Sequence, residues 1–152
     1  MMIALSLHLL AAVVWVGGMF FAYVCLRPVA ASQLEPPQRL KLWNAVFARF
    51  FRWVWIAVLT LLATGYWMIF AHFGGMANVG WPVHLMQGIG LVMIALYLVL
   101  FIAPYSELMQ AVKDECWPEG GKALNRIRQI VGTNLVLGLI TVVVASGGRW
   151  VV

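Results

Sequence analysis

The sequence predicts an all-α integral membrane protein, an up-down four-helix bundle with both termini periplasmic. Three observations predict it. Of the 152 residues, 64% are hydrophobic and only 10% charged, whereas a soluble domain is about a quarter charged and under half apolar. Four apolar runs carry no Lys, Arg, Asp or Glu, and each approaches the roughly 20 residues that cross a bilayer as helix. The charged residues fall in alternate loops. A chain this short has no interior large enough to hide so much apolar surface from water. The composition therefore excludes a soluble enzyme, a disordered chain and a nucleic-acid module. The net charge of +5 sits in short loops and not on a soluble face.

The spans run at residues 3–26, 53–71, 82–103 and 130–147, and one membrane domain takes all of 1–152. The first run lacks a basic leader, so it reads as an uncleaved span and not a signal peptide. This run ends at Leu26, just before Arg27 and Pro28. Glu35, Pro36 and Pro37 then open a basic, aromatic stretch, RLKLWNAVFARFFRW, which predicts an interfacial helix running into the second span. Gly74 and Gly75 follow the second span, and Pro82 starts the third. The loop from Tyr105 to Arg128 holds Pro118, Gly120 and Gly121, which predicts a break into two helical extensions. Short connections make consecutive spans antiparallel neighbours.

Nine of the ten basic residues lie in the loops after spans one and three; Arg149 alone lies on the other side. Lys and Arg stay in the cytoplasm. The expected setting is a bacterial inner membrane with both termini outside. Trp43, Trp53, Trp55 and Trp117 then fall near one interface, and Trp67, Trp81 and Trp150 near the other.

The three histidines share one end of this bundle. His8 lies two turns inside span one, His72 ends span two and His84 sits in the first turn of span three. An imidazole is at home at an interface, so His72 reads most simply as a solvated loop residue. His84 reads as an interface residue, a partner of Gln87 or a ligand. His8 differs, because an unpaired polar group inside an apolar helix is costly and intramembrane ionisable residues are typically functional. His8, Ala12, Trp15 and Met19 follow helical spacing and share a face, and Gly17 and Gly18 beside them permit close helix contact. Asn134, Gly138, Thr141 and Ala145 form a stripe on span four that reads as helix packing.

Met1, Met2, Met68, Met76 and Met86 lie toward the same end as the histidines. Thioether and imidazole together suit Cu(I). Methionine is also a gap-filler in apolar helices, and no Met-x-x-Met or Cys-x-x-Cys occurs. Cys25 and Cys116 lie toward the opposite end and read as plain thiols. No nucleophile elbow, phosphate loop or His-Glu-x-x-His is present, and no carboxylate lies within a span.

The first span, S-L-H-L-L-A-A-V-V-W-V-G-G-M-F-F, resembles the opening helix of the copper resistance protein D family of bacterial inner-membrane proteins. His8, Trp15, Gly17 and Gly18 carry the match, with weaker support from Asn134, Gly138 and the arginines before span four. The chain also resembles the four-helix membrane protoporphyrinogen oxidases through His8, Trp15, Gly18, Arg27 and Pro28. That family's haem b and its lysine in a later span are what this second resemblance implies, but no span here carries a lysine, which counts against porphyrinogen oxidation.

Two function classes follow, with a structural or assembly subunit as a third. In the first, a periplasmic carrier delivers copper to His8 and His84, with His72, Met76 or Met86 assisting. In the second, haem b is held by His8 with His84, or by His8 with His72. Arg149 then meets a propionate, and electrons pass to or from quinone or porphyrinogen. Trp15, Gly17 and Gly18 favour a narrow bundle and hence copper. Gly88 and Gly90 pull toward a porphyrin slot. A homo-oligomer is left open.

Overall fold

The computed structural model describes residues 1–147. Among them there are no strands, and four helical rods account for nearly the whole chain. We label them α1 (Met2–Gln33), α2 (Pro36–His72), α3 (Trp81–Ile102) with its short continuation α4 (Pro104–Lys113), and α5 (Trp117–Gly147). The protein is thus an all-α membrane bundle, as the sequence predicts.

The rods are longer than the apolar runs inside them. The 31 residues of α5, at 1.5 Å each, make a rod of about 46 Å, against roughly 30 Å of hydrocarbon. The excess lies at the end rich in Lys and Arg, called here the basic end; the other is the histidine end. The stretch after Pro36 and Pro37 is one unbroken helix with span two, because the two prolines occupy first-turn positions whose N–H groups need no partner. The second long loop consists of α4 and the first turns of α5. They are joined by a turn in which Glu115 adopts φ 56° and the Cys116 amide returns to the Ala111 carbonyl at 2.9 Å.

Arg27–Pro28 does not end α1. The chain passes through a π-helical stretch at Phe21–Leu26 and stays helical to Gln33. Pro28 lacks the N–H that would bond the Val24 carbonyl, and its ring crowds that oxygen. A widened turn just before it lets the helix continue. A second π-helical stretch, Met68–His72, closes α2. Gly74 and Gly75 then take φ 76° and 124°, which only glycine adopts without strain, and the Gly75 amide caps the Ile69 carbonyl at 2.9 Å.

α1 lies along α2, and α5 lies along both α3 and α4. Side chains join the two pairs. On α2, Leu40, Trp43, Phe47, Phe51, Val54 and Val58 are buried at helical spacing and face Tyr97, Leu100, Tyr105, Leu108, Ala123 and Ile127. The rings of Phe47, Phe51, Tyr97, Phe101 and Tyr105 meet mostly edge to face. This dense core fills the basic end and the middle. Toward the histidine end, among the described residues, only Ile69 and Val79 are buried hydrophobics beyond Ala11, Val58 and Met93. Elsewhere large apolar side chains such as Leu10, Val13, Leu59, Val99 and Val143 are exposed on every rod, which is the expected outer surface of a bundle solvated by lipid.

Candidate functional site

The loosely filled histidine end gathers the polar groups of the spans. His8 is half-buried on α1 and turns toward α2. Its Nδ1 lies 2.8 Å from Thr64 Oγ1. Thr64 in turn donates to the Thr60 carbonyl at 2.6 Å, one turn back on its own helix. Gly65 leaves room for the ring, since a Cβ there would stand 3.3 Å from His8 Cε1. Beside the pair opens a shallow apolar groove between α1 and α2, lined by Met1, Met2, Ile3, Leu7, Thr64 and Trp67.

A second polar contact ties α3 to α2. Gln87 Nε2 donates to Tyr66 Oη at 3.0 Å. Gln87 therefore serves Tyr66, and not His84 as one sequence reading had it. Thr64 and Tyr66 are two residues apart, about 200° around a helix of 3.6 residues per turn. One side of α2 thus receives His8 and the other receives α3.

His84, in the first turn of α3, is exposed. His72 is exposed at the last position of α2, with its ring 5.1 Å from the Phe73 ring. Met76 opens the short 3-10 turn Met76–Asn78, and Met86 is partly covered on α3. The structure therefore sets His8, His72, His84, Met76 and Met86 at one end of the bundle. Among the described residues it forms no cluster of three His, Cys, Asp or Glu side chains that could hold a metal ion by themselves. A site at this end draws on isolated imidazoles with thioethers. Arg149 lies outside the described residues.

Two expectations about helix packing divide. Gly18 is the close contact, because a Cβ there would overlap the Phe50 ring of α2, whereas Gly17 faces open space. The stripe on α5 packs at Asn134 and Gly138, while Thr141 is half-buried and Ala145 is exposed. Asn134, 2% exposed, donates to the Met93 carbonyl at 3.1 Å. A Cβ on Gly138 would stand 2.9 Å from Val16 Cγ2, and Thr141 bonds its own helix at the Leu137 carbonyl.

Trp15, 4% exposed, fills the interior inward of His8 and meets Tyr97 edge to face at 6.2 Å. Gly88 and Gly90 have nothing within 4 Å of a Cβ position, so they border open space and not a slot between helices. Sequence reading missed Thr60, Thr64, Gly65 and Tyr66. The usable signal was Thr60-x-x-x-Thr64 in span two, two hydroxyls on one helical face at the depth of His8.

Fold and polar end together define a four-span membrane protein with its ionisable span residue near one face. The family model described as copper resistance protein D matches residues 44–147, and the chain belongs to that family. The matched stretch holds Thr64, His72, Met76, His84, Met86 and Asn134, while His8 and the rest of α1 precede it. No curated protein and no solved structure matches the chain.

Proposed function

We propose that the protein handles copper at the inner membrane of a bacterium, accepting Cu(I) at the histidine end, which faces the periplasm. Membership of the copper resistance protein D family supports the metal. Nine of ten basic residues in the loops at the opposite end support the orientation. One observation carries the site: His8 is held inside a span by a hydrogen bond to Thr64, beside a groove that Met1 and Met2 line. An imidazole at that depth is costly unless it has a task, and imidazole with thioether is a soft donor set matched to Cu(I). In this reading His84 and Met86 join His8 from α3, Met76 from the loop after α2, and His72 assists from the end of α2. A periplasmic carrier is the partner that delivers the ion. The same entry site serves uptake or resistance, according to where the copper goes next.

The test is Cu(I) binding to the purified protein in lipid nanodiscs, by competition with a coloured chelator. His8→Ala abolishes binding while helical content is unchanged. His84→Ala weakens it by at least about tenfold, the scale of a lost ligand contact. Wild-type protein that binds no copper and carries a haem Soret band at one per chain overturns the proposal.

A further inference from the structure

We propose that Thr64 is a positioning residue that holds His8 in the tautomer with its hydrogen on Nδ1, leaving Nε2 as the donor atom for a metal ion. The metal half of this statement rests on the copper reading above; the tautomer half does not.

The argument is an account of one hydroxyl hydrogen. Thr64 Oγ1 lies 2.6 Å from the Thr60 carbonyl and 3.5 Å from the Leu61 carbonyl. A carbonyl oxygen can only accept, so Thr64 spends its single hydrogen within α2 whichever of the two it uses. Toward His8 the same oxygen has only lone pairs to offer. The contact of 2.8 Å between Oγ1 and Nδ1 therefore requires the hydrogen to sit on Nδ1. In a neutral imidazole the other nitrogen is then an unprotonated acceptor. Histidine in water prefers the opposite tautomer, with the hydrogen on Nε2, so Thr64 reverses the intrinsic preference.

The surroundings fit this assignment. Gly65 admits the Cε1 edge of the ring at a distance where a side chain would press on it, so the imidazole sits close against α2 with Nδ1 toward Thr64. A metal-bound histidine commonly donates its second N–H to an oxygen that fixes both tautomer and ring orientation. Here a threonine, made an obligate acceptor by its own helix, is that oxygen.

Nitrogen NMR on protein with 15N-labelled histidine rings, metal-free in nanodiscs and at alkaline pH where imidazole is neutral, reads the tautomer directly. The signals absent from His8→Ala identify His8. The expected result is a protonated Nδ1 in wild type and in Thr64→Ser, which keeps the acceptor, and a shift toward protonated Nε2 in Thr64→Val. Copper affinity falls about 10- to 100-fold in Thr64→Val and returns in Thr64→Ser. A wild-type His8 protonated on Nε2, or a tautomer unchanged in Thr64→Val, overturns the assignment. The wild-type spectrum decides alone if Thr64→Val does not accumulate. Failure of the copper reading looks different: His8→Ala binds copper as wild type does while the spectrum still shows Nδ1–H, which removes Nε2 as a metal donor and leaves the tautomer standing.

Discussion

Asn134 of α5 donates its Nδ2 hydrogen to the Met93 carbonyl of α3, while its Oδ1, equally buried, has no hydrogen-bond partner among the described residues. One amide thus ties two spans together and carries an orphan acceptor. Hydrogen bonds between membrane helices contribute only about 0.6 kcal/mol on average, and a buried orphan acceptor costs a comparable or larger amount. Asn134→Leu, similar in shape, is expected to lower stability by less than about 1 kcal/mol in a reversible detergent-unfolding titration. A loss near 3 kcal/mol, on the scale of a broken buried network, would show that Oδ1 is bonded in the membrane.

Gly17 and Gly18 are neighbours in sequence but opposite in consequence. A methyl at Gly18 overlaps the Phe50 ring of α2 and one at Gly17 meets nothing. Gly18→Ala should cost about 1–3 kcal/mol through overpacking between α1 and α2. Gly17→Ala should leave stability unchanged or raise it by up to about 1 kcal/mol, since alanine is the better helix former. Equal effects of the two substitutions would contradict a rotation of α1 that turns Gly18, and not Gly17, toward Phe50.

These residues show what the sequence could and could not disclose. Hydropathy located all four spans because an apolar run of membrane length has few other uses. Hydropathy alone does not mark the rods beyond them, since helices outside the bilayer carry ordinary polar residues, as α5 does from Glu119 to Gln129; the prolines and the basic, aromatic pattern are what predict the helical lead into span two. The apolar run ends at Leu26, yet the helix passes Pro28 to Gln33, because a widened turn absorbs the proline. His8 was conspicuous because it is polar in an apolar run. Thr64 was not, because a hydroxyl bonded to its own helix is unremarkable in any span, and only the pairing of α1 with α2 gives it a histidine.

Orientation can be read from a native thiol. Cys116 is exposed in the turn between α4 and α5 at the basic end. Cys25 is exposed on α1 near the same end of the apolar run, so replacing it with Ser leaves Cys116 as the reporting thiol. In spheroplasts, a membrane-impermeant maleimide should label Cys116 only after permeabilisation. In a protein with both cysteines replaced, Met76→Cys should be labelled at once. The reverse pattern would put the histidine end in the cytoplasm and move the proposed entry site with it.

Gln87 lies one helical turn beyond His84 on α3, and its bond to Tyr66 is the polar tie between that end of α3 and α2. His84 itself is exposed and, among the described residues, has no such anchor. If His84 supplies a copper ligand from α3, its reach toward the α1–α2 side depends on that tie. Gln87→Leu removes the donor at similar volume. It should weaken Cu(I) binding by a few-fold up to about tenfold, the range of coupling through one intermediary contact. In a His84→Ala background the same substitution should have almost no further effect, because the residue it positions is gone. The cycle needs four proteins: wild type, each single variant and the double. Effects that add in full would mean that Gln87 acts on the site independently of His84, and His84 would then lose its place in the donor set.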